Sequence, residues 1–420
     1  MAAFITEIQG DRFPSVFDAF EDAVGANAWL KRAKAIDTEI RSKPLLKEYL
    51  RAANRIAYAL SALTLEKRKR GSLGGIEVGS LAEYEAYVLV TQFMSLHDSL
   101  PRPAAEQLAR RLHGAFRNPD DLRGLQFEWL IATHLVKRRF VLEFPTEAEG
   151  TYDFIATGDG TVVDVECKSI SPDKGRQIHR RDALEVYSLL LPMCRPFIRS
   201  LADGLLVRIT VPRKLPTGFR ERQQLCERIY RAIVSGIGVS DPDLDLRLYD
   251  FDVAASPLLP HPPNMERVRT YFEQRFGILN RELVILYSDK GRALVLCVES
   301  KTPDRLVEAT METVKGACDR QLSGNRGGVV CVKFEDLAAE ELAQLGNETA
   351  AAPTGLRIAA SRLLDSRRTS HLICLAFFAD GPLERMSNDA VTRNGRTYFF
   401  ENKDSPCYSD VIATAFRSFS

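Results

Sequence analysis

The segment from Thr151 to Lys168, TYDFIATGDGTVVDVECK, constrains the fold of this chain more than any other. Two runs rich in β-branched residues flank Gly158-Asp159-Gly160, the composition of a tight hairpin turn. If Asp159-Gly160 is a two-residue turn, Gly158 faces Thr161 and the numbers of every opposed pair sum to 319. Asp153 then stands opposite Glu166, with Cβ atoms roughly 5 Å apart. A turn at Gly158-Asp159 sets Asp153 against Asp164 on the same face, and a three-residue loop breaks the parity unless a bulge restores it. On the second strand Asp164, Glu166 and Lys168 alternate and share one face, while Val163, Val165 and Cys167 take the other. Three ionisable groups on one face of an apolar strand are costly unless something uses them.

The surroundings read as an α/β layer. Residues 1–115 show helical spacing, as at Phe17, Phe20 and Val24 and at Leu45, Tyr49, Ala52 and Ile56, with a break at Gly71-Ser72-Leu73-Gly74-Gly75. Asn118-Pro119-Asp120 opens a helix expected over 121–138. Strands are expected at 140–145, 151–156 and 161–168, a helix at 173–191, a strand at 205–211 and a helix at 218–235. Further on, strands are expected at 245–252, 282–288, 293–299, 328–333, 371–378 and 397–401, with helices near 265–276, 304–320 and 335–345. This gives three regions: a helical N-terminal domain (1–115), a core (116–215) and an α/β C-terminal extension (216–420) that either folds separately or continues the core sheet.

Two carboxylates held as close as Asp153 and Glu166 repel unless a cation lies between them. Oxygen donors suit a hard ion such as Mg²⁺, with Mn²⁺ able to substitute, and the backbone carbonyl of Cys167 offers one more oxygen. Lys168 beside such an ion is placed to orient a water or to offset charge developing on a phosphorus centre. Glu128 lies in Gln126-Phe127-Glu128-Trp129-Leu130-Ile131, a carboxylate among large apolar residues one helix before the hairpin. It is the fourth candidate, reaching the ion directly or through water.

At these residues the chain resembles the PD-(D/E)xK nuclease superfamily, to which restriction endonucleases belong. The pattern is a helix bearing Glu, a strand bearing Asp and a strand bearing (D/E)xK, followed by a helix; Glu128, Asp153 and Glu166-Cys167-Lys168 match it over roughly 120–212. Tyr152 stands where the family has Pro. The resemblance implies a restriction-endonuclease-like mixed sheet flanked by helices, with Asp153 and Glu166 binding Mg²⁺ and Lys168 serving the attacking water. It further implies that Lys174, Gln177, Arg180 and Arg181, on the following helix, are candidate contacts to nucleic acid. The expected function is that of a Mg²⁺-dependent endonuclease, with DNA ahead of RNA as substrate. A homodimer and a protein partner in a restriction, anti-phage or repair system are expected from the same resemblance. The alternative is a nuclease-like scaffold that binds nucleic acid or assembles complexes without cutting.

The remaining sequence narrows the field. Two other ExK triplets, Glu299-Ser300-Lys301 and Glu401-Asn402-Lys403, lack a partner carboxylate at hairpin register, Asp289 falling in a turn. The eight cysteines form no CxxC pair, which argues against zinc and against a disulfide framework. No GxxxxGK[ST] loop occurs, and no apolar run reaches the roughly eighteen residues a membrane span needs. With no basic-then-apolar leader, a cytoplasmic location is expected. The net charge of +1 neither requires nor excludes a polyanion, so the placement of charge decides.

Overall fold

The computed structural model describes residues 12–74, 78–145, 152–258, 262–277, 283–288, 290–335, 337–346, 354–385 and 391–417. Gly75, Thr151 and Asp289 lie outside the described residues, as do the ends of some expected elements. The first elements are α1 (Phe13–Val24), α2 (Asn27–Ser42), α3 (Lys47–Ala53), α4 (Arg55–Arg70), α5 (Leu81–Ser99), α6 (Arg102–Ala115) and α7 (Pro119–Lys137). Then come β1 (Val141–Glu143), β2 (Phe154–Gly158), β3 (Thr161–Ile170), α8 (Arg180–Ser200), β4 (Gly204–Val211) and α9 (Phe219–Ser235). They are followed by β5 (Val239–Ser240), β6 (Asp245–Phe251), α10 (Met265–Phe276), β7 (Leu283–Tyr287) and β8 (Ala293–Ser300). The last group is α11 (Leu306–Arg320), β9 (Gly327–Phe334), α12 (Ala339–Gly346), α13 (Gly355–Leu364), β10 (Leu372–Arg385), β11 (Val391–Glu401) and α14 (Asp410–Arg417). The chain is mixed α/β, with mixed sheets.

Two compact units emerge. The first comprises residues up to Asp37, Arg51–Lys174 and residues from Leu306 on; the second comprises Thr38–Leu50 and Gly175–Arg305. In the first, a six-stranded sheet runs β1-β2-β3-β9-β10-β11. Its first three strands are antiparallel, β9 is parallel to β3, β10 is parallel to β9, and β11 returns antiparallel. The hairpin has the two-residue turn: Asp159 (φ 46°) and Gly160 (φ 75°) are both left-handed, and Phe154 pairs with Val165 through to Gly158 with Thr161. One sheet face carries Val163, Val165, Cys167, Val329 and Cys331 into a core shared with α7 and the preceding helices. The other carries Val330, Val332 and Phe334 against α11 and α13. Strand β9 is buried at every position, which is why it reads GGVVCVKF, apolar but for Lys333, whose ammonium pairs with Asp380 at 2.8 Å.

The second unit has its own sheet, β5-β6-β4-β8-β7, in which β4 is parallel to β8 and antiparallel to β6. The linear three-part division therefore differs from the structure. Strand β4, expected in the core, pairs in this second sheet. The extension is divided, residues up to Arg305 belonging to the second unit and those from Leu306 rejoining the first. A parallel partner for β3 has to arrive through a crossover, and α11 supplies it. Strand periodicity reports burial of a face and nothing about which edge a strand joins.

Candidate active site

Helix α7 begins at Pro119, with the Asn118 side chain accepting the Asp120 N–H and Asp120 and Asp121 in the first turn. It buries Leu125, Phe127, Trp129, Ala132 and Leu135, and among them Glu128, only 3% exposed. A carboxylate there needs compensation, and Arg111 of α6 provides it: Nη1 and Nη2 donate to Oε1 and Oε2 at 2.9 and 2.6 Å. Burial still pushes the Glu128 carboxyl up to about 7, with the negative charge of Asp153 adding to it and Arg111 and Lys168 opposing. Arg111 is not marked by the sequence as the partner of Glu128. Its only signal is position, at the edge of the α6 stripe formed by Ala105, Leu108, Leu112 and Ala115, which does not separate it from any amphipathic-helix arginine.

Asp153 stands one residue before β2. Because β2 starts at Phe154, the Cys167 N–H of β3 on that side has no strand partner, and Asp153 Oδ2 accepts it at 2.7 Å. The Asp153 N–H goes to the Val165 carbonyl at 3.1 Å, so the ladder slips by one residue where the carboxylate turns in. In an extended strand a residue's N–H and C=O point to the same side; the Cys167 carbonyl thus opens beside Asp153 and away from β9. Burial pushes the Asp153 carboxyl up, against the pull of the Cys167 N–H, Lys168 and Arg111. Tyr152, where the family has Pro, is buried; its ring packs under the Arg326 guanidinium and its hydroxyl accepts from Arg326 Nη2 at 3.2 Å. The ring thereby fixes the entry to Asp153.

Glu166 is 1% exposed, on the face of β3 that looks toward α11, and the Lys168 ammonium lies against its Oε1. Apart from that ammonium, neither Glu166 oxygen has a hydrogen-bond partner among the described residues. Burial pushes this carboxyl up to about 8, with Asp153 and Glu128 adding to the rise and Lys168 opposing it. The face assignment from alternation is met, but Asp164 leaves the group. Fully buried, Asp164 accepts from Arg326 Nε and the Ser323 N–H at 2.9 Å each and ties down the turn before β9.

Glu128, Asp153, Glu166 and Lys168 therefore act on one another electrostatically, together with Arg111. Among the described residues, no group of three or more His, Cys, Asp or Glu side chains stands in metal-holding geometry. Two of the carboxylates are already engaged, Glu128 by Arg111 and Asp153 through one oxygen. The Cys167 thiol points into the core beside Cys331 and its pKa is driven well above the usual range by burial.

The four outer candidates fare differently. The expected helix at 173–191 begins only at Arg180; α8 belongs to the second unit, and the helix packed on the Glu166 face of β3 is α11. Arg181 pairs with Glu39 and Glu185, Arg180 lies over the Tyr49 ring at 5.9 Å, and the Gln177 N–H donates to Asp304 Oδ1. Lys174 ends the first unit, half-buried. Among the described residues no helix is long and apolar enough to cross a membrane. Compared with known proteins, the chain matches no family model, no curated protein and no solved structure.

Proposed function

We propose that the first unit carries a divalent-metal-dependent phosphodiesterase site of the PD-(D/E)xK kind, acting on nucleic acid. The observation that carries the reading is Glu166, a buried carboxylate whose one polar partner among the described residues is the Lys168 ammonium, held near a second buried carboxylate. Left alone, such a group sheds its charge; ionised at neutral pH, it calls for a cation. The donor chemistry fits Mg²⁺ or Mn²⁺: Glu166, Asp153 through its second oxygen, and the Cys167 carbonyl are all hard oxygens. The ion's contribution would be Lewis acidity toward phosphate and water. Lys168, in contact with Glu166 and partly open to solvent, would orient the attacking water and offset charge gathering on phosphorus. Glu128, held by Arg111, would keep the site's negative charge in place behind Asp153.

The arrangement αβββ followed by a crossover helix and a parallel strand, here α7, β1–β3, α11 and β9, supports the restriction-endonuclease-like reading. In this reading the Gly175–Arg305 part of the second unit is inserted between the ExK strand and that crossover. The test is incubation with plasmid DNA, single-stranded DNA and RNA across Mg²⁺, Mn²⁺ and EDTA, with Asp153→Ala and Lys168→Ala as controls. Metal-dependent cutting abolished in both variants supports the assignment. Equal cutting by all three proteins ends it.

A second reading, a scaffold that binds without cutting, is favoured by the Arg111 clamp on Glu128 and the lack of a three-donor group among the described residues. Thermal denaturation with and without Mg²⁺ or Mn²⁺ separates the two, because an ion bound only by the folded state raises the midpoint.

A further inference from the structure

We infer that the loop between β4 and α9 is a contact site for a single-stranded segment of nucleic acid, its backbone on Arg213, Lys214, Arg220 and Lys301 and a base on Phe219. This deepens the phosphodiesterase reading and rests on it. The first ground is the distribution of charge. Thr38–Leu50 and Gly175–Arg305 hold 24 Lys and Arg against 18 Asp and Glu, a formal +6, which leaves −5 for the remainder of a chain whose total is +1. The carboxylates of the candidate active site thus lie in the acidic unit, and attraction for a polyanion falls to the other.

The second ground is how the loop is built. Strands β4 and β8 are parallel, and the loops leaving their carboxyl ends are where open α/β sheets place ligands. Here the loop is anchored at three points: Leu215 sits in the core, Thr302 Oγ1 donates to the Pro212 carbonyl at 2.9 Å, and Arg222 Nε donates to the Pro216 carbonyl at 2.6 Å. Arg222 is itself buried and fixed by Asp182 and Glu185. Lys301 joins from the end of β8, its N–H donating to the Val211 carbonyl at 2.9 Å.

On this fixed frame Arg213, Lys214, Arg220 and Lys301 are exposed, and among the described residues none of the four has an ion pair or side-chain hydrogen bond. By contrast, Arg181, Arg208, Arg222, Arg228 and Arg247 of the same unit pair with carboxylates. Glu221, the neighbour of Arg220 along the chain, lies back against Gly218 at the start of α9. Phe219 is 66% exposed and stacks on no ring of the described residues. An exposed aromatic between unpaired cations is the surface that single strands use, since every base offers a π-face and a duplex hides it.

The test is fluorescence anisotropy in EDTA with a labelled single-stranded oligonucleotide, its duplex and the RNA of the same sequence, over a salt series. Arg213→Glu/Lys214→Glu is expected to weaken single-strand binding at least about tenfold and to flatten the dependence of log affinity on log salt by about one to two. Phe219→Ala is expected to weaken the single strand about five- to a hundredfold and the duplex far less. Arg367→Glu/Arg368→Glu, an equal charge change at exposed positions of the other unit, is expected to do little. The proposal is overturned if both loop variants bind like the parent, if the control weakens binding as much, or if the duplex is preferred. If the parent cuts nucleic acid but the loop variants bind it normally, only the loop assignment falls. If the parent neither binds nor cuts, the phosphodiesterase reading falls with it.

Discussion

Replacing Glu166 by Gln should stabilise the metal-free protein at alkaline pH while abolishing the proposed metal-dependent cutting. In the folded chain the Glu166 carboxyl titrates near 8 and Glu128 near 7, both raised from the ordinary value of 4.5 chiefly by burial. A raised carboxyl pKa means the folded state holds a proton that the unfolded chain has released. Stability from this source is complete below about pH 4.5 and is lost as pH climbs through 7 and 8. At about 1.4 kcal/mol per pKa unit, Glu166 alone could cost up to about 5 kcal/mol at pH 8. The amide removes that charge but loses the Lys168 contact and needs hydrogen bonds of its own, together about 1–3 kcal/mol. A net gain of about 2 kcal/mol at pH 8, or roughly 4 °C in melting temperature, is expected. Thermal melts in EDTA between pH 5 and 8 read it directly: the parent's midpoint falls with rising pH and the variant's falls less. Added Mg²⁺ should raise the parent's midpoint most at high pH, where the carboxylates are ionised, and barely move the variant's. A variant less stable than the parent at pH 8 in EDTA, with an unchanged pH slope, would refute the claim that burial of the Glu166 charge outweighs its contact with Lys168.

Asp153→Asn keeps an oxygen for the Cys167 N–H and should leave the melting temperature within about 2 °C while cutting activity drops at least about a hundredfold; an active variant removes Asp153 from the site. Arg111→Ala strands Glu128 in the core. With the arginine side chain 38% exposed, a cost of about 1–3 kcal/mol by urea denaturation is expected, most of it recovered in Arg111→Ala/Glu128→Gln, and additive single effects would show the two are not coupled. Gly160→Ala places a side chain at φ 75° and should cost roughly 1 kcal/mol with full-length activity retained; a neutral result would mean the turn is not of the two-residue type.

Much of the site was legible because it is local. The hairpin register follows from Asp159-Gly160 and the period of two, and the structure pairs Phe154 with Val165 and Gly158 with Thr161 as that arithmetic requires. Alternation likewise placed Asp164, Glu166 and Lys168 on one face, and helical spacing with the Asn118-Pro119 start found α7. What the sequence left open was every relation between distant segments. Nothing in Arg111, Arg326 or Tyr152 announces that the first clamps Glu128, the second removes Asp164 from the site and the third, held under Arg326, fixes the entry to Asp153. Nor does the largely apolar run at 327–334 say that it lies beside β3, across more than 150 residues of intervening chain. Backbone geometry and side-chain period are properties of neighbours along the chain, so a sequence states them outright. Which buried charge meets which partner, and which strand joins which edge, depends on closing long loops around a shared core, and only the folded molecule decides that.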